Sequence, residues 1–500
     1  MRGSRVLVGE ELPKRFLTAA ALLVSMGLMA GLGVLVLWGA GWGFWPKKLQ
    51  LITLRDGTQI LGEKWDEERV GPERAVRLRF KVGNRDVWGS DFRVVPQEEV
   101  LRVEEPPNAW LVERWEYGNF YGFPVHLRRP QEQLAAEDPR FATAMREELA
   151  RMAAVRREAE RLSKRLAKTL EPREEDLLRL AVLQGEQEQC WLVMKTVTGE
   201  QRDLPCAQVV HAWPLNQLHL PARLKLFAQR WVEFLTAEPR ESNTEGGIFP
   251  ALFGTALLVL LMTIGVVPLG VLTAVYLREY ARDNRLTRAV RLAVSTLAGV
   301  PSIVFGAFGL AFFVYTVGGA VDRLFFSHAL PTPTFGTGGI LWASATLALL
   351  TLPVVVVATE EGLAAAPTEV REGAQALGAT RWETLRHVVL PYAKPGIFTG
   401  MILAVARAAG EVAPLMLTGV VKLAPALPLD STPPFFHLER KFMHLGFHIY
   451  DVGFQSPNVE AARPMVFATT LVLLILVVVL NFLALRLRNR ARARVLGHTL

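Results

Sequence analysis

This 500-residue sequence lacks the marks of a chain that does chemistry by itself. It has no Gly-x-x-x-x-Gly-Lys-Ser/Thr loop, whose backbone N–H groups cradle nucleotide phosphates, so it carries no ATP-hydrolysing site of that kind. It has no Gly-x-Ser-x-Gly nucleophile turn and no His-Glu-x-x-His zinc helix. Its carboxylates outside the apolar runs fall mostly on charged helical stretches, where solvation accounts for them. Cysteine is nearly absent. The only two, Cys190 and Cys206, flank WLVMKTVTGEQRDLP, which reads as strand, glycine turn and strand. They are either a disulfide across that hairpin in an oxidising compartment or two reduced thiols packed as small hydrophobes.

Charge is sparse in six long stretches: 16–45, 250–277, 289–318, 339–359, 396–420 and 465–485. About 20 such residues suffice to cross a bilayer as a helix. With 51% hydrophobic residues, mean hydropathy +0.24 and net charge +8, the chain reads as a polytopic membrane protein rather than a soluble enzyme. The first run follows Arg2, Arg5, Lys14 and Arg15. It far exceeds the roughly 7–15 apolar residues of a cleaved signal, so it reads as a retained anchor. Its glycines at 27, 31, 33, 39, 41 and 43 include the small-xxx-small spacing that lets helices approach closely. Pro268, Pro301, Pro353 and Pro414 interrupt other runs and predict kinks there.

Basic residues orient the runs. They gather at the N-terminus, at Arg278, Arg282, Arg285, Arg288 and Arg291, at Arg371, Arg381, Arg386 and Lys394, and at Arg486, Arg488, Arg490, Arg492 and Arg494. The loop after the third run has only Arg323, and that after the fifth spreads Lys422, Arg440, Lys441 and Arg463 over a long segment. The alternation places both termini in the cytoplasm and residues 46–245 outside as one domain-sized insert. There, LQLITLRDGTQILGE is two alternating runs around Asp56-Gly57, a hairpin signal, and VRLRFKVGNRDVW resembles another. Residues 138–188 turn charged and helix-favouring, with Met152, Val155, Ala159, Leu162 and Leu166 three or four apart and Pro172 placed to start a second helix. An intramolecular helical hairpin is expected. FKVGNRDVWGSDFRVVPQEEV and MKTVTGEQRDLPCAQVVHAW share a strand, glycine turn, strand outline, a degenerate repeat split by that hairpin.

Between the fourth and fifth runs lies PTEVREGAQALGATRWETLRHVVLPYAKPG. Glu372-Gly373-Ala374, then Gly378, then Val388-x-Leu390-Pro391 resembles the EAA loop of bacterial ABC importer permeases, with Gly for its first Ala and Val for the usual Ile. A helix ended by a glycine free to take positive φ, then a Leu-Pro that turns the chain back, suits a rigid cytoplasmic knob. The resemblance implies that Glu372, Gly373, Ala374, Gly378, Leu390 and Pro391 dock in a separate ATP-binding subunit. ATP and Mg would then be held by that partner, with no cofactor on this chain. NTEGGIFPALFGT, LAGVPSIVFGAFGL, LTLPVVVVATEEGL, ARAAGEVAPLMLTG and KFMHLGFHIYDVGFQSPN resemble the phosphate-specific permeases of the PstA type over most of 240–490. The insert resembles that of the longer members and departs from the compact ones.

ILAVARAAGEVAPLMLTG carries Arg407 and Glu411 inside an apolar run, where each charge costs roughly 2.5–3.5 kcal/mol. Four apart, they share a helix face that belongs in a protein interior or water-filled path. Arg offers a planar fork to phosphate oxygens, and a carboxylate accepts the proton that phosphate has and sulfate lacks at neutral pH. In the resembled permeases a charged pair in this helix is implicated in transport. A packing salt bridge is the other reading, and both roles are compatible. His444-x-x-x-His448-x-x-Asp451 has helical metal-ligand spacing, but its apolar neighbours suggest an interfacial helix or lid with histidine tips. Glu360 and Glu361 read as solvated at a span end.

The expected fold is an all-α polytopic membrane protein with six transmembrane helices of the type I (MetI-like) importer fold and an α+β extracytoplasmic insert. The expected domains are 1–45 (N-terminus and first helix), 46–245 (insert), 246–490 (permease core with its coupling loop near 364–394) and 491–500 (tail). The resemblance implies a non-enzymatic inner-membrane subunit of a phosphate importer. Its partners would be a second, different permease, two ATP-binding subunits, an extracytoplasmic phosphate-binding protein and the bilayer, with no nucleic acid. A permease for sulfate or molybdate, or a membrane-anchored sensor or scaffold, are the competing readings.

Overall fold

The computed structural model describes residues 4–70, 75–166, 173–431 and 433–496, with the side chains of 4–15, 70, 242 and 491–496 left aside. Arg2 and Pro172 lie outside the described residues, as do the side chains of Arg5, Lys14, Arg15, Arg492 and Arg494. The chain divides into two compact units, Phe44–Glu233 and a second formed by Met1–Gly43 with Phe234–Leu500.

Within Phe44–Glu233, alternating apolar residues build two antiparallel sheets. The first contains β1 (Leu49–Leu54), β2 (Gln59–Val70), β3 (Ala75–Lys81), β4 (Phe92–Pro96) and β5 (Val100–Glu104), in the order β4-β3-β2-β1-β5. The second contains β6 (Trp110–Arg114), β7 (Phe120–Arg128), β9 (Trp191–Lys195), β10 (Gln201–Pro205) and β11 (Val209–Trp213), in the order β10-β9-β7-β6-β11, with β8 (Gln133–Ala135) added on β7. Matching β1 to β6, β2 to β7, β3 to β9, β4 to β10 and β5 to β11 makes the two orders identical. In each, a proline closes the fourth strand and one 3-10 turn, Gln97–Glu99 or Cys206–Gln208, leads into the fifth. The repeat outlined by the sequence is therefore the latter part of a five-strand duplication. The helical hairpin interrupts the second copy instead of separating the two.

One local reading changes. The β3–β4 connection is not a tight turn at Gly83-Asn84, because the short helix α1 (Arg85–Trp88) occupies it. Arg114, nearly fully buried, holds α1 through Nη1 to Asp86 Oδ2 at 3.1 Å and Nη2 to Asp86 Oδ1 at 2.9 Å, while its Nε donates to the Gly118 carbonyl. A buried guanidinium needs such a bidentate carboxylate to offset its lost hydration. The expected hairpin forms from α2 (Phe141–Leu166) and α3 (Glu174–Gln187). Phe141, Met145 and Met152 of α2 enter the core of the second sheet with Leu192 and Met194, while Val155 and Ala159 meet Leu183 of α3. Cys190 and Cys206 are fully buried in the same core and joined as a disulfide.

The second unit carries six helices long and apolar enough to span a membrane: Phe16–Phe44, Phe249–Tyr280, Ser302–Phe325, Ile340–Ala364, Arg381–Gly410 and Val459–Arg490, hereafter spans 1 to 6. An all-α description thus fits this unit only, because the other is built on the two sheets. The third run was drawn too early. Residues 285–297 form a separate helix, α4 (Arg285–Leu297), and Pro301 stands just before span 3, where its missing N–H does no harm. The fifth run merges two elements as well. Span 5, which follows α5 (Thr368–Ala376), stops at Gly410, and a short helix α6 (Ala413–Thr418) begins after an extended Glu411. Pro268 and Pro353 do lie inside spans 2 and 4, whereas Pro301 and Pro414 mark helix starts.

Small residues bring the spans together. A Cβ on Gly396 of span 5 would lie 2.6 Å from the Gly362 Cα of span 4, so these backbones touch. Of the six glycines in span 1, Gly39 and Gly43 seat against Phe467 and Pro464 of span 6, whereas Gly27, Gly31, Gly33 and Gly41 face nothing within 4 Å. The small-xxx-small spacing is used once, at its C-terminal end. For the sheet unit, the disulfide closes a short loop and contributes roughly 3 kcal/mol by restricting the unfolded chain. The Cys190→Ser, Cys206→Ser variant should therefore unfold at a markedly lower denaturant midpoint than wild type, read by proteolysis of residues 44–233. An unchanged midpoint would contradict this.

Candidate functional site: a knob between spans 4 and 5 and a charged break

The knob is α5 and the turn after it. Gly378 has φ +89°, its N–H donates to the Gln375 carbonyl, and that of Ala379 to Ala374, so the last helical carbonyls are capped. A side chain at this φ would be strained. Thr380 and Glu383 then form a capping box that restarts the helix. From here the expectation fails at one point: Leu390-Pro391 does not turn the chain. The helix runs through from Arg381 to Gly410, and a wider π-type stretch at Leu385–Val389 makes room for the proline ring and its missing N–H.

The knob is rooted in the spans. Arg371 Nη1 donates to both Glu279 carboxylate oxygens, at 2.8 and 3.0 Å, at the end of span 2, and its Nη2 donates to the Leu363 carbonyl at the end of span 4. Leu385, Val389 and Ala393 are buried with Val356, Leu363 and Ala366. Its open surface carries two exposed apolar side chains, Leu377 at 91% and Trp382 at 56%, among exposed polar ones such as Glu372, Gln375 and Arg381. Of the residues singled out from the sequence, Glu372, Gly373 and Gly378 are exposed, while Ala374, Leu390 and Pro391 are half-buried.

At the other end of span 5, Arg407 lies in its last turn and Glu411 just beyond it, not in mid-helix. Arg407 Nε meets Glu411 Oε1 at 3.3 Å. Neither side chain is fully buried, at 37% and 20% exposure. Among the described residues, this is the only hydrogen bond of the guanidinium, so its two terminal nitrogens remain available. The pair thus sits at a helix break and not within a continuous helix. Glu360 departs from the solvated reading, since its Oε1 is buried without a partner among the described residues.

Segment 443–451 packs onto this break. A Cβ on Gly446 would meet Val412 Cγ2 at 2.7 Å, and one on Gly254 of span 2 would meet the Met443 carbonyl at 2.1 Å. His444 caps α7 (Leu445–Tyr450) from outside it, so His444 and His448 do not share the helical ligand spacing, and no group of three metal ligands forms among the described residues. Nor are the histidines polar tips: both are buried, and Asp451 pairs with Lys422 Nζ and Asn243 Nδ2, each at 3.2 Å. Sequence reading missed this cluster because 243, 422 and 451 are far apart in the chain. Burial pushes His444 and His448 down to about 4, from an ordinary 6.5. Between these values the unfolded chain takes up protons that the folded one refuses, so stability falls as pH drops from 6.5 toward 4. Each histidine should cost about 1 kcal/mol at pH 5.5. Thermal unfolding of the detergent-solubilised protein at pH 7.5 and 5.5 should show this loss, and His448→Gln should reduce it. A pH-independent midpoint would contradict it.

A family described as "Binding-protein-dependent transport system inner membrane component" matches residues 266–493, wholly within the span-bearing unit. "Probable ABC transporter permease protein YqgI" of Bacillus subtilis is 33% identical over 237 residues, 46% of this chain and 74% of its own length. "Phosphate transport system permease protein PstA 1" of Mycobacterium tuberculosis is 40% identical over 172 residues, 34% of this chain and 51% of its own. "Phosphate transport system permease protein PstA" of Yersinia pestis is 36% identical over 187 residues, 37% and 57% respectively. The chain thus spans about three quarters of the first relative and little more than half of the two phosphate permeases. Six spans, a capped knob between spans 4 and 5 and these matches together place the chain in the family of binding-protein-dependent inner-membrane transport components, as an ABC permease of the PstA type.

Proposed function

We propose that this chain is the non-enzymatic permease subunit of an ATP-driven importer of inorganic phosphate, with the type I (MetI-like) arrangement of spans. It would pair with a second Pst-type permease, two ATP-binding subunits and an extracytoplasmic phosphate-binding protein. The observation that carries the reading is the continuity of span 5: one helix joins the knob to Arg407 and the Glu411 break. A knob docked in an ATP-binding subunit would carry that subunit's closing and opening into the membrane along this helix, alternating the access of one anion path. Both termini and the knob would then face the cytoplasm, and residues 44–233 the outside.

The chemistry of the break favours phosphate. Arg407 offers the N–H donors of its two uncommitted terminal nitrogens to an oxyanion, while Glu411 can accept the proton of HPO4(2−) or H2PO4(−). Sulfate has no such proton at neutral pH, so at Glu411 it would meet the carboxylate's repulsion with no compensating hydrogen bond. Glu372, Gly373, Ala374, Gly378, Leu390 and Pro391 are assigned to coupling on the same reading, with ATP and Mg held by the partner. The competing role, a bridge that only fixes packing, is separable by experiment. Arg407→Ala should lower phosphate uptake in proteoliposomes of the assembled complex about tenfold or more, and Arg407→Lys should restore only part of it. Full uptake in both variants would remove Arg407 from the path.

A further inference from the structure

Helix α4 is used by neither the knob nor the charged pair. Its apolar residues Leu286, Ala289, Val290, Ala293, Val294 and Leu297 follow i, i+3, i+4, i+7, i+8, i+11 and form one stripe. Arg285, Arg288 and Arg291 lie on the opposite face, with Arg282 just before the helix. The helix is built to hold this position. Asn284 caps it by accepting from the Thr287 N–H at 2.8 Å, and Arg291 Nη2 donates to the Leu277 carbonyl near the end of span 2, also at 2.8 Å. Val294 and Leu297 pack partly against the span core. The rest of the stripe is uncovered: Leu286 is 73% exposed and Val290 38%, and Ala289 and Ala293 are exposed as well.

Two features say what covers it. Residues 281–284 tie α4 to span 2 and residues 298–301 tie it to span 3, so it stays at the level where those spans leave the bilayer. The charged side chains of its other face are all arginines, Arg288 also meeting the exposed Asp283 just before the helix (Nε to Oδ1 3.5 Å), and this excess of positive charge matches the charge of anionic phospholipid headgroups. We propose that α4 is an interfacial helix that lies in the membrane surface, its apolar stripe among acyl chains and Arg282, Arg285 and Arg288 on anionic lipid headgroups. It thereby makes this permease sensitive to the anionic lipid content of its leaflet. The inference is independent of the substrate.

The two native cysteines are disulfide-bonded, so one introduced cysteine is the only free thiol. Leu286→Cys, on the stripe, and Leu292→Cys, on the arginine face and 69% exposed, are each labelled with bimane in the full chain. Ala289→Cys provides a second stripe position if the first assembles poorly. Nanodiscs are made from phosphatidylglycerol or phosphatidylcholine with brominated acyl chains. Stripe probes should be quenched by brominated lipid about threefold more than the Leu292 probe. The quenching should be stronger in phosphatidylglycerol, and Arg285→Glu with Arg288→Glu should erase that lipid difference. Equal quenching at both faces overturns the proposal. So does a stripe probe shielded from brominated lipid and aqueous iodide alike, which would mean that a second permease subunit covers the face. Identical quenching in the two lipids overturns the headgroup role.

Discussion

The span-bearing unit depends on one uninterrupted element, the helix from Arg381 to Gly410. In a bilayer, every backbone N–H and carbonyl must find its partner within the protein, and a proline inside a helix removes one such bond. The wide stretch at Leu385–Val389 absorbs that loss at Pro391 without bending the chain away. Backbone contact between Gly362 and Gly396 then seats span 5 on span 4, and Arg371 fixes the knob to the ends of spans 2 and 4. On the proposed function, displacement of the knob would be carried along this continuous helix rather than taken up by a turn at its base.

The far end of that helix solves an energetic problem. Two charges within an apolar run would be costly in mid-span. Ending the helix at Gly410 and restarting it at Ala413 places them at a break, where a half-exposed guanidinium keeps donors free. The same break receives the segment around Gly446, whose C-terminal end holds Asp451, buried and paired with Asn243 and the partly exposed Lys422. Knob, helix and this segment are thus joined by one continuous run of contacts.

Much of this was legible in the sequence, because it rests on local patterns. Six apolar runs gave six spans, Asp56-Gly57 gave a hairpin, the three-four spacing of Met152, Val155 and Ala159 gave a helix packed on its neighbour, and Gly378 gave a positive φ. Boundaries were lost where mean hydropathy stays high across a break: the stretches around Pro301 and Glu411 remain apolar on average, yet each residue separates two helices. The duplication of the sheet unit was visible only in its latter strands, since topology can persist after side chains diverge. The clusters Arg371–Glu279 and Asn243–Lys422–Asp451 join residues distant in the chain, which no local pattern reports.

The central claim is mechanical, and it is tested most directly by softening the helix between knob and charged pair. Two glycines inserted within 385–389 would leave both ends chemically intact while breaking their rigid connection. The measurement is ATP hydrolysis and phosphate uptake in the same proteoliposomes of the reconstituted complex. The account predicts that hydrolysis persists while uptake falls about tenfold or more, the signature of uncoupling. Uptake retained in proportion to hydrolysis would contradict it.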